Sequence, residues 1–355
     1  MDETTPETQV LVDVREGHRF DVAALERYLN PRLGGFRPPV QVRQFLGGQS
    51  NPTYHLTIGD RQYVLRRKPP GPLLPSAHAV DREYRVITAL AGTDVPVPRT
   101  YLLCEDAAVV GTPFYVMDFI PGRIFADPMM PGLARDERAA IYDAMNDVMA
   151  RLHRVDWKAV GLSHFGRPGN YFARQIHRWT SQYRASETER IESMERLIPW
   201  LPDHIPMDDE TTLVHGDYRP GNLIVHPTEP RIVGVLDWEL STLGHPLADV
   251  AYNCVPYRTG PGENLGGVEG VDLHDLGIPS EDDYVAAYCR RVGRGEIADW
   301  DFYVAFALFR LAAIAQGIMG RVVAGTASDP HARLRGERAR PLADAAWIVV
   351  ERRAS

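Results

Sequence analysis

Up to about residue 118, hydrophobic and polar residues alternate in short runs. Alternation with a period of two is typical of strands that bury one face. The predicted strands are 40–46, 54–58, 62–66, 101–104 and 114–117. Asp21 can cap a helix that precedes them, and a second helix is predicted over 79–90, after a proline-rich stretch. We expect residues 1–12 to be flexible.

After residue 118 the hydrophobic positions recur mainly every three to four residues, which is typical of amphipathic helices. The predicted helices are roughly 135–153, 171–184, 187–198, 281–292, 300–323 and 338–352. Shorter apolar runs predict strands at 211–214, 223–226 and 231–236. The glycine-rich segment 256–277 predicts a long loop.

These elements predict an α+β fold with two lobes. Residues 1–118 would form an N-terminal lobe with a small antiparallel sheet and one helix. Residues 119–355 would form a larger, mainly helical C-terminal lobe. A plan of this kind leaves a cleft between the lobes, where polar turns can meet a ligand.

Composition narrows the class of protein. The 355 residues are 44% hydrophobic and 24% charged, which suits a globular chain of about two lobes. A net charge of −8, with scattered Lys and Arg, argues against a nucleic-acid or acidic-membrane partner. Three distant cysteines fit a reducing compartment, and no export signal is visible at the start of the chain. The apolar segment 302–323 contains Arg310 and is predicted to be a core helix. We expect a cytoplasmic protein and leave its oligomeric state open.

Polar side chains follow the short strands of the C-terminal lobe. The stretch LVHGDYRPGN places Asp217 and Asn222 five positions apart, and Asp237 follows the apolar run 232–236. Phosphoryl transfer from ATP needs a carboxylate that accepts the proton of the attacking hydroxyl, and an Asp and an Asn that hold Mg²⁺. The order of these three residues is that of the protein-kinase fold.

Longer stretches extend this match. They are LVHGDYRPGNLIV, VGVLDWELSTLGHPLADVAY, FLGGQSNPTYHL, YVLRRKPPG, DREYRVI and FYVMDFIPGR. With them the chain resembles the aminoglycoside phosphotransferase family of small-molecule kinases over about residues 40–350. It is most similar to the branch of kinase-like domains fused to acyl-CoA dehydrogenases.

The resemblance implies a two-lobed protein-kinase-like fold that uses ATP and Mg²⁺ to phosphorylate an alcohol group of a small molecule. Carried over by position, Asp217 would be the catalytic base. Asn222 and Asp237 would be the magnesium ligands. His215 would brace the catalytic loop.

The loop between the first two strands would approach the ATP phosphates. It contains Gly47, Gly48, Ser50 and Asn51 and lacks the G-x-G-x-x-G form. Backbone N–H groups and the Ser50 hydroxyl would contact the phosphates there without a clash with a Cβ atom. A plain hairpin turn is the alternative.

The remaining nucleotide-site residues also follow from the resemblance. Glu83 would pair with a basic residue of the third strand, where Arg66 stands in place of the usual lysine. Arginine can bind two phosphate oxygens or contact Glu83, and Lys68 is the alternative phosphate ligand. Met117 and Asp118 fall where backbone groups would bind adenine.

The acceptor is indicated by the segment 169–186, in which arginines alternate with aromatic residues. Arg174 and Arg178 share a helix face next to Trp179. A basic, aromatic face suits an anionic or acyl-nucleotide acceptor, whereas a polycationic aminoglycoside would call for an acidic wall. With the branch resemblance, this favours a hydroxyl on a hydroxyacyl-CoA or hydroxy acid. An ordinary amphipathic helix is the alternative.

Three other functions stay open. The acceptor could be an aminoglycoside or an amino alcohol. The missing lysine could indicate a nucleotide-binding pseudokinase without catalytic activity. A metallohydrolase could use His215, Asp217 and Asp237, although no second histidine stands at ligand spacing.

Overall fold

The alternating pattern of the first 118 residues forms one antiparallel sheet in the computed structural model of the chain, which describes residues 10–46, 51–70, 79–262, 266–327, 329 and 331–353. The sheet has six strands in the order β1-β2-β3-β4-β6-β5. The strands are β1 (Leu11–Val12), β2 (Val40–Phe45), β3 (Thr53–Ile58), β4 (Arg61–Arg67), β5 (Thr100–Cys104) and β6 (Phe114–Asp118). The five strands predicted from periodicity are therefore confirmed.

Strand β1 corrects the expectation of a flexible start for Leu11 and Val12, whereas residues 1–9 lie outside the described residues. Leu11 and Val12 pair with Phe45 and Gln44 of β2 instead of fraying. A strand of two residues is too short to show alternation, so its pairing depends on the neighbouring strand rather than on local pattern.

Three helices accompany this sheet: α1 (Val22–Leu29), α2 (Val80–Leu90) and the short α3 (Ala107–Val110). The carboxylate of Asp21 accepts a hydrogen bond from the backbone N–H of Ala24 at 3.0 Å, as predicted for the cap of α1. Helix α2 buries one apolar face and, on that face, the side chain of Glu83. A buried carboxylate requires partners, which the site below supplies.

The second part of the chain is mainly helical. Its helices are α4 (Arg135–His153), α5 (Tyr171–Ala185), α6 (Glu192–Asp203), α7 (Leu247–Cys254), α8 (Leu273–Leu276), α9 (Glu281–Val292), α10 (Trp300–Val323), α11 (Ala332–Gly336) and α12 (Ala339–Arg353). The predicted two-lobed kinase-like architecture is confirmed.

Two stretches of the second part differ from the prediction. Helix α6 begins at residue 192 rather than 187 and continues through Pro199 and Pro202. Its buried residues Met194, Leu197 and Leu201 share one face, and packing of this face outweighs the poor helix propensity of proline. The segment 256–277, predicted as a loop, contains α8.

Four short strands form two two-stranded ribbons within the second part of the chain. They are β7 (Thr212–Val214), β8 (Leu223–Val225), β9 (Ile232–Val235) and β10 (Thr242–Gly244). Strand β7 pairs with β10, and β8 pairs with β9. The prediction missed β10. The turns that leave β7 and β9 carry the polar residues of the candidate site.

Helix α10 lies at the centre of the helical part, against α5, α7, α11 and α12. Among the described residues it is the one helix long and apolar enough to cross a membrane by length and composition, but 72% of its apolar window is buried inside the protein. This burial supports the prediction of a core helix.

Candidate active site

The loop after β7 turns sharply at a glycine. Leu213 and Val214 are fully buried and anchor the loop in the core. Gly216 has φ +83°, and a Cβ atom there would lie 2.6 Å from the carbonyl oxygen of Leu240. Only glycine combines that backbone conformation with that close approach. The turn leaves Asp217 partly exposed, directly after buried residues.

A buried carboxylate holds the backbone of this turn. Asp249, on α7, accepts the backbone N–H groups of His215 at 2.6 Å and of Gly216 at 2.8 Å. His153 lies 3.3 Å from the same carboxylate. Burial favours the protonated acid, but the contact with His153 and the N–H bonds outweigh it and lower the pKa of Asp249. Asp249 therefore positions the loop as an anion.

His215 connects the two turns of the site, as the resemblance implied for a bracing residue. Its Nε2 lies 2.9 Å from the carbonyl oxygen of Leu236, and its Nδ1 accepts the backbone N–H of Asp217 at 3.1 Å. These partners assign the proton to Nε2. The imidazole, which is fully buried, thus ties the loop of Asp217 to the end of β9, one residue before Asp237.

Both carboxylate oxygens of Asp217 accept hydrogen bonds. Asn222 donates its side-chain amide to Oδ2 at 2.8 Å, and Arg219 Nε lies 3.4 Å from the same oxygen. The hydroxyl of Tyr252 donates to Oδ1. Burial and the negative charge of Asp217 raise the pKa of Tyr252, so the phenol keeps its proton and acts as the donor.

Asn222 and Asp237 line the same cleft, whose volume is about 450 Å³. The amide nitrogen of Asn222 is engaged by Asp217, so its side-chain oxygen remains for a cation. Asp237 occupies the left-handed region, with φ 65° and ψ 59°, at the end of β9. Strained residues of this kind occur most often at functional sites. One carboxylate, one amide oxygen and room for phosphate fit the ligand set that Mg²⁺ prefers.

Arg66 crosses the cleft from β4. Its Nε lies 2.9 Å from Glu83 Oε2, and its Nη2 lies 2.5 Å from Asp237 Oδ1. Burial opposes the charged guanidinium, but the two carboxylates outweigh this and raise the pKa of Arg66. Lys68, the alternative, lies 4.0 Å from the exposed Asp81. The geometry therefore brings Arg66, and not Lys68, to the cleft.

Glu83 is the centre of a buried polar cluster. Asn51 donates its side-chain amide to Oε1 at 2.9 Å, and Tyr115 donates its hydroxyl to Oε2 at 3.1 Å. Asn51 is fully buried and its side chain holds Glu83, while a contact of its backbone with the phosphates stays a prediction. The predicted phosphate-loop residues Gly47, Gly48 and Ser50 lie outside the described residues.

The rest of the cleft is mostly apolar, with Val64, Ile87 and Met117 among its lining residues. Asp118 also lines it, but its backbone N–H donates to the carbonyl oxygen of Arg99 at 2.8 Å. That N–H is therefore already paired within the sheet, and a role of Met117 and Asp118 in binding adenine stays a prediction.

Of the three residues predicted to bind the phosphoryl acceptor, only some have side-chain groups that a ligand could contact. Trp179 is buried in the core. Arg178 is exposed and lies over its ring at 5.2 Å. Arg174 donates to the backbone carbonyls of Gly169 and Arg167, so part of its guanidinium holds the start of α5. None of the hydrogen bonds or ion pairs that the described residues make joins Arg174 or Arg178 to the loop of Asp217.

Sequence reasoning missed two residues that lie beside this loop. Tyr252 stands one helical turn after Asp249, which places both on the same face of α7. Arg310 lies within α10, and its Nη2 donates to the carbonyl oxygen of Gly216 at 2.6 Å. A charged residue that interrupts an apolar helix was the available signal.

The fold and the arrangement of polar residues are those of a kinase-like phosphotransferase, and comparison with known proteins agrees. The family described as "Phosphotransferase enzyme family" (APH) matches residues 41–302, and the chain belongs to this family. A crystal structure of a putative aminoglycoside phosphotransferase from Ralstonia eutropha is 51% identical, with a TM-score of 0.86, over 94% of this chain and 99% of that one. Enzymes of this family use ATP and a divalent metal ion.

Two curated relatives are much longer proteins. "Acyl-CoA dehydrogenase family member 10" of Mus musculus is 50% identical over 336 residues, which cover 94% of this chain but 31% of the relative. "Probable acyl-CoA dehydrogenase IBR3" of Arabidopsis thaliana is 46% identical over 360 residues, which cover 96% of this chain and 44% of the relative. The chain therefore spans less than half the length of these relatives. The resemblance to the branch fused to acyl-CoA dehydrogenases is confirmed.

Proposed function

We propose that the protein transfers the γ-phosphate of ATP to a hydroxyl of a small molecule. Residues 1–118 would bind the nucleotide, and residues 119–355 would carry the catalytic and acceptor-binding groups. The observation that carries the proposal is the direct bond between Asn222 and Asp217, because it links the carboxylate of Asp217 to a residue of the cleft.

Asn222 and Asp237 would hold Mg²⁺, through the amide oxygen and the carboxylate. The bound ion would neutralise negative charge on the transferring phosphate. Arg66 is the adjacent cation and already contacts Asp237, so it would interact with the phosphates as well. Glu83 keeps this guanidinium in place within a buried pocket.

Asp217 would orient the acceptor hydroxyl and accept its proton. A bond then forms between the acceptor oxygen and the γ-phosphorus, the bond to the bridging oxygen of ADP breaks, and the proton resides on Asp217. Asn222 supports this role because its amide donor orients the carboxylate. Asp249 and His215 support it by holding the backbone on either side of the turn.

The proposed acceptor is a hydroxyacyl-CoA or a hydroxy acid. The names of the longer relatives place a similar segment within proteins called acyl-CoA dehydrogenases, which supports an acyl substrate. Two positive side chains beside the loop support the same class: Arg310 contacts the carbonyl oxygen of Gly216, and Arg219 contacts Asp217. Arg178, which lies over the ring of Trp179 on α5, stays a proposed acceptor contact. A polycationic aminoglycoside would be repelled by this group of charges.

The test is mass spectrometry of products after incubation with Mg-ATP and a panel of hydroxyacyl-CoAs, hydroxy acids, amino alcohols and aminoglycosides. Wild type is compared with Asp217→Asn, which removes the base, and with Asp282→Asn, a matched change at an exposed aspartate of α9. We expect phosphorylation of an acyl compound by wild type and Asp282→Asn, and loss of at least about 10³-fold in kcat for Asp217→Asn.

Each other outcome points to a different conclusion. Turnover of only amino alcohols or aminoglycosides would replace the acceptor class. Mg-ATP that raises the melting temperature without yielding any product would favour a non-catalytic nucleotide-binding protein. Activity of Asp217→Asn within tenfold of wild type would show that Asp217 is not the base.

A further inference from the structure

Four arginines are buried among the described residues, and they differ in how their N–H donors are satisfied. Arg66 pairs with carboxylates. Arg67 donates to Tyr54, Val110 and His18, and Arg138 donates to the carbonyls of Leu276, Met130 and Leu133. Arg310 has a single acceptor, the carbonyl oxygen of Gly216. Arg310 is therefore the least satisfied of the four.

The rest of the Arg310 guanidinium meets aromatic rings. Its central carbon lies 5.6 Å from the ring centre of Trp179 and 5.6 Å from that of Tyr252. Its Nε is sealed from solvent and has no hydrogen-bond partner, and no ion pair of the described residues includes it. Contacts with ring faces offset only part of the cost of burying a cation. Buried polar groups of native proteins are almost always paired, so the unpaired Nε of Arg310 points to a place for a ligand oxygen.

Tyr252 connects this cation to Asp217. Its ring covers the Arg310 guanidinium, and its hydroxyl donates to Asp217 Oδ1. The cation and the carboxylate are therefore separated by about one phenol ring. Tyr252 is only partly buried, so part of its side chain can be reached from solvent. In this state Tyr252 donates its hydroxyl to Asp217 and presents its ring face to Arg310 in a cation–π contact.

A hydroxyacyl group offers the same two contacts in a stronger form. Its hydroxyl can replace the Tyr252 hydroxyl on Asp217, and a carboxylate or carbonyl oxygen can bind Arg310 through charge-assisted hydrogen bonds. We propose that Arg310 is the subsite for the acyl oxygen of the acceptor, and that the acceptor displaces the side chain of Tyr252 to reach it. This inference rests on the proposed function and narrows its acceptor. It requires a hydroxyl and an acyl oxygen that are a few bonds apart.

The acyl oxygen has two sources, the carboxylate of a free hydroxy acid and the thioester carbonyl of a hydroxyacyl-CoA. Calorimetric titration separates them with three matched ligand series of equal chain length: hydroxy acids, their CoA thioesters, and diols in which a second hydroxyl replaces the acyl group. The three series are titrated into wild type, Arg310→Gln, Arg310→Lys, Tyr252→Phe and the control Arg138→Gln, which alters a buried arginine whose two Nη groups donate to three carbonyls.

We expect the acid or the thioester to bind wild type more tightly than the diol. Arg310→Gln should lower the affinity for that acyl ligand roughly 10- to 100-fold and leave the affinity for the diol unchanged. Arg310→Lys should retain part of the affinity for a carboxylate, because the charge remains. Tyr252→Phe should bind the acyl ligand several-fold more tightly, because the competing hydroxyl on Asp217 is gone. Arg138→Gln should bind as wild type does.

Titrations run with and without Mg-ADP, so that a fault in the nucleotide site is seen separately. If wild type did not bind Mg-ADP, the proposed function would be contradicted, and the acyl titrations would still test Arg310. Equal binding of acyl ligand and diol by wild type, undiminished acyl binding by a folded Arg310→Gln, or weaker binding by Tyr252→Phe would overturn the inference. So would the absence of binding by every acyl ligand.

Discussion

Arg66 Nη2 lies 2.5 Å from Asp237 Oδ1, and this contact joins the N-terminal sheet to the end of β9 across 171 positions of sequence. The same guanidinium contacts Glu83 at 2.9 Å. One fixed cation therefore neutralises the carboxylate proposed to hold Mg²⁺ before any metal binds. Arginine suits this double contact, because its planar guanidinium presents several donors at once, whereas a lysine ammonium is a single point charge.

Substitutions at Arg66 should show this bridging role. Arg66→Ala leaves a buried Glu83 without its cation and should cost about 3 kcal/mol or more of unfolding free energy. Arg66→Lys keeps the charge but cannot maintain both contacts, so it should cost less and weaken Mg-ATP binding. Lys68→Ala, two positions away and partly exposed, should cost no more than about 1 kcal/mol. Urea unfolding compares the three variants, and equal effects of the substitutions at Arg66 and Lys68 would exclude a bridging role.

Asp237→Asn should separate charge from backbone geometry. Asparagine tolerates the left-handed conformation that Asp237 adopts, so the backbone should lose no stability, and any loss should be limited to the ion pair with Arg66, which keeps Glu83 as its second carboxylate. Turnover should fall at least about 10³-fold, because a metal ligand and its charge are lost. Asp237→Ala should lose the same activity and also about 1 kcal/mol of stability from the backbone. Kinetics and thermal melts measure the two effects, and an active Asp237→Asn would contradict the assignment of this residue to the metal.

Gly216→Ala should disturb the turn that positions Asp217. The new Cβ would lie 2.6 Å from the Leu240 carbonyl oxygen, at φ +83°. We expect a loss of about 1–3 kcal/mol and a fall in kcat greater than the change in the KM for ATP. Gly92→Ala is the matched control, because a Cβ there meets no atom within 4 Å. If both variants lost the same stability and kcat, the close approach of Gly216 to Leu240 would not matter for activity.

His245 should make the protein sensitive to acid. It is fully buried, and burial outweighs the nearby Asp208 and lowers its pKa to about 4, from the ordinary value of 6.5. The unfolded chain therefore binds a proton between these values while the folded protein does not. The contribution of neutral His245 to the free energy of unfolding is therefore fully present above pH 6.5. It falls toward pH 4 by up to about 1.4 kcal/mol per pH unit.

The check is urea unfolding of wild type and His245→Gln at several pH values from 7 to 4. The variant lacks the titrating group, so its stability should fall less steeply over this window. From pH 7 to pH 4, the free energy of unfolding of wild type should fall by about 3 kcal/mol more than that of His245→Gln. Parallel pH profiles would mean that His245 does not carry this acid sensitivity.

Local pattern predicted most of the fold, because strands and helices of five or more residues have a visible period. The five longer strands of the first sheet and the long helices α4, α9 and α10 lie close to their predicted bounds. Strands β7, β8 and β9 are also short, but each is an apolar run. Strand β1 has only two residues and β10 contains a single large apolar residue, Leu243, so both were missed. Helix α6 was displaced because buried packing, and not proline, set its ends.

The order of Asp217, Asn222 and Asp237 along the chain was sufficient to predict the type of site, because the turns that carry them directly follow short strands. Their catalytic and metal-binding roles stay predictions. Only the tertiary structure decided which cation reaches the cleft, that Asn51 positions Glu83, and that Tyr252 and Arg310 lie beside the proposed base. These contacts join residues far apart in sequence, so they depend on how whole faces of helices and sheets pack. Local periodicity carries no information about such partners, because it reports only which side of an element is buried.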